Sequence, residues 1–181
     1  MKFKPKLYLA LISLLVSLVL CSNIQVNSDF SQKSPVNNLE SSTLQAPIFI
    51  DGKATGVGAH NWTWAESQPW CTGSGTVNEP YIIENLIINA GGTYYGIEID
   101  NSNVYIVIRH CTISNASTGI EFYFVNNALI IDNNCSNNWN DGIYLQDGNN
   151  NKIIHNIANY GDEGIDLWDC NNTVIYQNTA N

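Results

Sequence analysis

The sequence predicts an all-β protein built as a parallel β-helix, a solenoid of about four to five coils with an N-terminal cap. The first observation is a glycine-led apolar motif that recurs at spacings of 23, 23 and 22 residues, beginning at Gly96, Gly119, Gly142 and Gly164. The second is composition: the 181 residues include 27 Asn, and only 13% are charged. Asn is unfavourable inside helices and is accepted in turns, so a helical bundle is not expected.

Each repeat holds two short alternations of apolar and polar residues separated by Asn, Gly and Ser, which is the pattern of half-buried strands. A unit of 22 or 23 residues cannot bury its own apolar face, so neighbouring repeats must stack on one another. Stacking predicts two buried columns. They are Ile97, Ile120, Ile143 and Ile165, followed by Ile99, Phe122, Leu145 and Leu167.

A further series of positions predicts an asparagine ladder at an inward turn. Cys111, Asn134 and Asn156 each lie eight residues before a motif glycine. The isoleucines three residues earlier mark the same register at Ile108, Ile131, Ile153 and Ile175, with Ile82 preceding Asn85 in the same way. Stacked side-chain amides can satisfy one another along a solenoid. The expected ladder is Asn85, Asn134, Asn156 and Asn178, interrupted by Cys111.

The N-terminal residues have the pattern of a secretion signal. Lys2, Lys4 and Lys6 precede an apolar run over residues 7–20, which is shorter than the roughly 20 residues of a membrane span. We therefore expect a signal peptide over residues 1–22, with cleavage as late as residue 28, and an extracellular or cell-surface protein; an uncleaved anchor stays open. Residues 23–46 predict a flexible polar linker, 47–80 an N-terminal cap segment, and 81–181 the repeats.

Beyond the repeats, residues 47–52, 73–76 and 80–85 complete a resemblance to a known family. Together these segments resemble the secreted right-handed parallel β-helix proteins with carbohydrate-binding and sugar-hydrolase type repeats, in the style of archaeal surface proteins. This group includes the NosD-like periplasmic copper-accessory proteins. The resemblance covers about residues 47–181 and implies a right-handed, single-stranded parallel β-helix. It leaves the activity open, because this scaffold carries lyases, hydrolases, epimerases, adhesins and accessory proteins.

The outward positions of the glycine-led strands form the candidate ligand site. Their two columns read Glu98, Glu121, Tyr144, Asp166 and Asp100, Tyr123, Gln146, Trp168. Aromatic rings stack on sugar faces while carboxylates accept hydroxyl hydrogen bonds, so a polysaccharide or surface glycan is the expected partner. Outward strand positions must in any case hold something polar, so a purely structural role remains the alternative. The net charge of −9 argues against nucleic acid, and membrane contact is expected only through an uncleaved N-terminal segment.

A non-catalytic module is favoured over an enzyme. Glu98 and Glu121 are the weak candidates for a catalytic carboxylate pair, as found in sugar-cleaving members of the resembled group. No cofactor is expected, although Ca²⁺ could be held by the same acids. Copper would need clustered His, Met or Cys; His110 and His155 share a column but lie two coils apart with Asn133 expected between them, so no metal site is predicted.

The remaining motifs are assigned structural roles. Trp62, Trp64 and Trp70 are expected to cap the first coil, because the end of a solenoid must be covered. Free buried thiols are expected, with Cys111 and Cys135 on opposite faces, and a disulfide between Cys71 and another cysteine stays open. Of the glycosylation sequons at Asn61, Asn115, Asn134 and Asn171, Asn134 is expected to be unmodified because of its ladder position.

No closing segment follows residue 178, which favours a truncated frame, end-to-end self-association or capping by a partner. A structural or assembly module acting through that coil end is the alternative function.

Overall fold

The computed structural model describes residues 42–181. The predicted signal peptide and nearly all of the predicted linker lie outside these residues. Within them the chain forms sixteen short strands, numbered β1–β16 in chain order, and one helix, α1 (Trp62–Glu66). None of the helical structure in this part of the chain is both long and apolar enough to cross a bilayer.

The strands stack into three faces of a solenoid. The first face, here called the Gly-led sheet, consists of β2 (Ile48–Asp51), β6 (Tyr95–Ser102), β9 (Thr118–Val125), β11 (Asp141–Gln146) and β14 (Glu163–Trp168), paired in parallel. The second sheet consists of β3 (Cys71–Thr72), β4 (Tyr81–Glu84), β7 (Ile106–Arg109), β10 (Ala128–Ile131), β12 (Lys152–Ile154) and β15 (Val174–Tyr176). Its strands pair in parallel except for β3, which is antiparallel to β4. The predicted parallel solenoid is confirmed.

The third face is more irregular. It consists of β1 (Thr43–Leu44), β5 (Leu86–Asn89) and β8 (Thr112–Ser114), and of the pair β13 (Ile157–Ala158) and β16 (Thr179–Ala180). Single bridges from Asn134 to Thr112 and to Ile157 join the two groups. Strand β1 lies within the predicted linker and β2 within the predicted cap segment, so both predicted segments contain solenoid strands.

The two predicted core columns are present in the Gly-led sheet. Ile97 pairs in register with Ile120, Ile120 with Ile143, and Ile143 with Ile165. The second column runs in the same register through Ile99, Phe122, Leu145 and Leu167. The members on β6, β9 and β11 are buried, and those on β14 are partly buried against the same core.

The asparagine ladder exists, but two of its predicted members are wrong. The backbone N–H of Cys111 donates to Oδ1 of Asn133 at 3.0 Å, and Nδ2 of Asn133 donates to Oδ1 of Asn156 at 3.0 Å. Nδ2 of Asn156 then donates to Oδ1 of Asn178 at 3.0 Å. Asn134 is exposed on the third face, outside the ladder. The burial that argued against its glycosylation is therefore absent.

Asn85 is displaced by one residue in the same way. Glu84 pairs with Arg109, which places Asn85 beside His110 rather than beside Cys111. Asn85 has φ 58 and His110 φ 54, so both occupy a left-handed turn position. The buried position of the first coil is filled by Leu86 instead. The isoleucine marks shift accordingly, because Ile83, Ile108 and Ile130 are the residues in register.

Two compensating insertions explain these register errors. Asn133 follows Gly119 by 14 residues, whereas Cys111 follows Gly96 by 15. Gly142 then follows Asn133 by 9 residues, whereas Gly119 follows Cys111 by 8. Both glycine-to-glycine distances are therefore 23, and equal spacing conceals a one-residue shift inside the coil.

The tryptophan cluster packs on the first coil. Trp62 stacks on Tyr81 with ring centroids 4.5 Å apart, and its Nε1 donates to Oγ of Ser102 at 2.9 Å. Trp70 is buried, and Trp64 packs edge-on against it at 5.7 Å. Helix α1 is held at its start by Asn61, whose Oδ1 accepts from the N–H of Trp64. These contacts cover the core and support the capping interpretation.

All four described cysteines are free thiols, and Cys71, Cys111 and Cys135 are buried. The expectation of opposite faces for Cys111 and Cys135 was wrong. Cys135 lies two residues after Asn133, the ladder partner of Cys111, and a step of two returns a strand side chain to the same face. Burial raises the pKa of the Cys71 and Cys111 thiols to about 11, so both stay protonated at neutral pH.

Candidate functional site

The predicted site residues lie on the outer face of the Gly-led sheet. Glu98 pairs with Glu121, Glu121 with Tyr144, and Tyr144 with Asp166. The second column follows in the same register, as Asp100, Tyr123, Gln146 and Trp168. Neighbouring strands lie about 4.8 Å apart, so this face presents acidic, amide and aromatic groups at regular short intervals.

The motif glycine of β11 is tightly packed beside this face. A Cβ on Gly142 would lie 2.5 Å from Cβ of Ala158 and 2.7 Å from the carbonyl oxygen of Gly164. Asp141, Gly142 and Ile143 are all buried, and Gly142 faces the buried Ala158. Because Gly142 and Ile143 both pack inward, the inside–outside alternation shifts by one residue here. Asp141 lines the outer groove together with Tyr144, although it is only 4% exposed.

A groove of about 420 Å³ opens on this face. Its lining residues are Glu121, Tyr123, Asn140, Asp141, Tyr144, Asp162, Glu163 and Asp166. Four of the predicted ligand-binding residues are thus brought together in one groove. Glu98, Asp100 and Trp168 lie on the same sheet outside the groove lining, and Trp168 is exposed. None of the described residues that line the groove is Lys or Arg.

Hydrogen bonds fix the polar side chains of this face. The hydroxyl of Tyr123 donates to Oε1 of Glu121 at 2.7 Å, and that of Tyr144 donates to Oε1 of Gln146 at 2.8 Å. The Tyr123 and Tyr144 rings meet edge-on with centroids 5.8 Å apart. These contacts hold both rings in defined orientations, which lowers the conformational cost of binding a ligand.

The carboxyl groups of this face crowd one another. Burial, and then the charges of Asp100 and Glu121, raises the pKa of Glu98 to about 7. Burial, and then the charges of Asp51 and Glu121, raises the pKa of Asp100 to about 6. Burial also raises the pKa of Glu121, although the Tyr123 hydroxyl lowers it in part. Glu98 therefore retains its proton in a large fraction of molecules at neutral pH and can donate as well as accept hydrogen bonds.

A cluster of three carboxylates lines the groove. Oxygen atoms of Asp141, Glu163 and Asp166 all lie within 4.8 Å of one another. Burial, then the charges of Asp166 and Glu163, raises the pKa of Asp141 to about 6. Three carboxylates at this spacing are the donor set that suits Ca²⁺. They are the residues of this site that could hold a metal ion.

Sequence reasoning missed four of the groove residues, which are Asn140, Asp141, Asp162 and Glu163. It also missed three exposed aromatic residues, here called the rim aromatics: Tyr94, Trp139 and Tyr160. The missing signal was the residue before each motif glycine. Asp141 and Glu163 occupy that position in successive repeats and are paired in register. Strict alternation assigns this position to the interior, whereas Asp141 and Glu163 both line the groove.

Comparison with known proteins agrees with this architecture. The family model described as "right handed beta helix region" matches residues 70–181, which is more than half of the chain. The chain belongs to the right-handed β-helix family. No curated protein and no solved structure matches it significantly. The parallel β-helix predicted from the repeats, and the right-handed form that the resemblance implied, are thus confirmed at the level of the family.

Proposed function

We propose that this right-handed β-helix is a secreted or surface-tethered module that binds a neutral polysaccharide on its Gly-led sheet without cleaving it. The observation that carries the proposal is the groove, in which two oriented tyrosine rings lie beside several carboxyl groups. Such a combination suits a sugar, because rings pack on its apolar faces while carboxyls and amides bond its hydroxyls.

The charge of the groove favours a neutral ligand. An acidic sugar needs Lys or Arg for its carboxylate, and the described residues lining the groove include neither. Glu98, with its pKa near 7, and Asp100, with its pKa near 6, are partly protonated at neutral pH. Protonated carboxyls donate to hydroxyl oxygens and ionised ones accept from hydroxyl groups, so the face matches both halves of a hydroxyl group.

The repeat of the solenoid favours a linear chain. Glu121 and Tyr144 are neighbours across adjacent strands, as are Tyr144 and Asp166, so a ligand that crosses the strands meets similar contacts every 4.8 Å or so. Two of the rim aromatics lie next to groove residues in the sequence, since Trp139 precedes Asn140 and Tyr160 lies two residues before Asp162. The ring of Trp139 lies over Gly92, where an added Cβ would come within 3.2 Å of its Cη2 atom.

The test is retention of the full chain on a panel of insoluble and immobilised polysaccharides, with reducing ends assayed in the supernatant. Retention on a neutral polysaccharide without new ends is expected. Tyr144→Ala and Trp168→Ala should each weaken it by about tenfold, the loss that corresponds to one sugar–ring contact worth about 1.4 kcal/mol. The matched control is Tyr176→Ala, which removes an exposed tyrosine from β15 on the second sheet. The proposal is contradicted if neither Tyr144→Ala nor Trp168→Ala weakens retention, or if Tyr176→Ala weakens it as much as they do.

A second candidate function is hydrolysis of the bound glycan. Glu98 and Glu121 are direct register partners, and both have raised pKa values. Hydrolysis of a glycosidic bond uses one protonated and one ionised carboxyl. New reducing ends that disappear in Glu98→Gln while retention persists would establish cleavage. An absence of new ends throughout the panel, from protein that is retained, would reject it.

A further inference from the structure

A different column of side chains runs along the turn that joins the second sheet to the third face. Its members all have left-handed φ values between 52 and 58: Asn85, His110, Asp132, His155 and Gln177. The spacing of the repeats in the sequence predicted that Asn133 lies between the two histidines. The structure places Asp132 there, because Ile131 pairs with Arg109 and with Ile154.

Asp132 lies between two imidazole rings. Its Oδ2 is 3.8 Å from Nε2 of His110, and its Oδ1 is 3.6 Å from Nδ1 of His155. All three side chains are about half exposed. The neighbouring Arg109 is held by Glu84, with Nε 2.6 Å from Oε2, and this ion pair turns the guanidinium toward another carboxylate.

The hydrogen bond of His155 to Gln177 decides which ring nitrogen is free. Nε2 of His155 lies against Oε1 of Gln177, and an amide oxygen only accepts hydrogen bonds. With Nε2 donating to that oxygen, Nδ1 is the ring nitrogen that faces Asp132, 3.6 Å from Oδ1. A proton on Nδ1 or a metal cation between the two atoms would complete this contact.

We propose that Asp132 and His155 bind a divalent transition-metal ion of the zinc class, with His110 as the third protein ligand. Two ligands of a tetrahedral Zn²⁺ ion lie about 3.4 Å apart, given metal–ligand bonds of about 2.1 Å, so the spacing of 3.6 Å needs little adjustment. His110 approaches the other oxygen of the same carboxylate from the coil before, with Nε2 3.8 Å from Oδ2. Its ligand atom is not gathered with the other two as placed, so His110 must rotate its exposed side chain to join the ion. Metal-binding histidines commonly donate their second N–H to an oxygen, as His155 does to Gln177.

The test is calorimetric titration of the untagged full chain with Zn²⁺ at pH 7.5, in excess Mg²⁺ to occupy all-carboxylate sites. One Zn²⁺ is expected to bind per chain. Asp132→Asn and His155→Asn should each weaken binding at least tenfold, and Asn tolerates the left-handed backbone of both positions. His60→Asn is the matched control, because His60 stacks on Trp64 in the cap.

Nitrogen NMR of the imidazole rings supplies a readout on the unaltered chain. Zn²⁺ should shift Nδ1 of His155 and leave its Nε2 protonated. The proposal is overturned if Zn²⁺ does not bind, if Asp132→Asn and His155→Asn bind it as tightly as the unaltered chain, or if the metal shifts Nε2 of His155 instead of Nδ1. Thermal unfolding of each variant without metal shows whether a lost affinity comes from a lost fold.

Discussion

Replacement of Asn133 by Ala should destabilise the protein strongly, and replacement of its neighbour Asn134 should not. Asn133 is 2% exposed and belongs to the ladder, whereas Asn134 is exposed on the third face. The two residues are chemically identical and adjacent in sequence. Their comparison therefore isolates the effect of position in the coil.

The expected loss follows from the hydrogen bonds of Asn133. Its Oδ1 accepts from the N–H of Cys111 at 3.0 Å, and its Nδ2 donates to the carbonyl of Ile108 at 2.9 Å and to Asn156. Truncation leaves the N–H of Cys111 and the carbonyl of Ile108 buried without this partner, at about 1–3 kcal/mol each. We expect the free energy of unfolding to fall by about 4 kcal/mol. Asn134 accepts one hydrogen bond, from the N–H of Ser136 at 3.1 Å, so its loss should stay near or below about 1 kcal/mol.

Urea and thermal unfolding of the two variants, followed by circular dichroism, measure this difference. For a domain of this size about 1 kcal/mol corresponds to roughly 2–4 °C, so Asn133→Ala should lower the midpoint by about 8–16 °C. The urea slope must be compared as well, because solenoids can unfold repeat by repeat. Equal losses in the two variants, or a larger loss in Asn134→Ala, would refute the ladder register.

Three further predictions follow from individual residues. Gly142→Ala should lower the free energy of unfolding by about 2–3 kcal/mol in urea titrations, because the new Cβ meets backbone at 2.7 Å; an unchanged midpoint would contradict the corner geometry. Phe124 has φ 55 and is 53% exposed, so Phe124→Asn should raise that free energy by about 0.5–1 kcal/mol in the same assay, and a loss would show that the ring packs productively. Glu98, Asp100 and Asp141 have raised folded-state pKa values of about 7, 6 and 6, so their stabilising effect is complete below pH 4 and is lost as pH rises through 6–7. With solvent screening the gain in the free energy of unfolding is about 1 kcal/mol for each group. The temperature of thermal unfolding should therefore rise when the pH is lowered from 8 to 5, and a decrease would refute the prediction.

The fold was predictable because the residues that recur from repeat to repeat are the ones that face the core. Spacing of the motif glycines and alternation of Ile97 and Ile99 are enough to place strands, faces and two core columns. The ladder was only partly predictable, since the insertions before Cys111 and after Asn133 cancel in the glycine spacing. Register inside a coil depends on where each turn takes up its extra residue, and spacing alone does not record this.

The candidate groove was predictable where strands are regular and was missed where they bend. Glu121, Tyr123 and Tyr144 follow from alternation along β9 and β11. Asp141 and Glu163 do not, because they precede a glycine whose tight packing reverses the alternation. Repeated glycines at the start of strands therefore indicate that the residues before them also belong to the outer face.

The left-handed turn positions connect the stability of this fold to its proposed chemistry. Asn tolerates positive φ better than most other residues, and this Asn-rich chain uses it there at Asn85, Asn101 and Asn127. His110 and His155 occupy equivalent positions, and His also adopts positive φ more often than most residues. Asn in place of either histidine therefore keeps the turn and removes the imidazole nitrogen. This substitution separates the proposed metal binding from the stability of the fold, because a loss of Zn²⁺ affinity without a loss of stability can come only from the missing ligand.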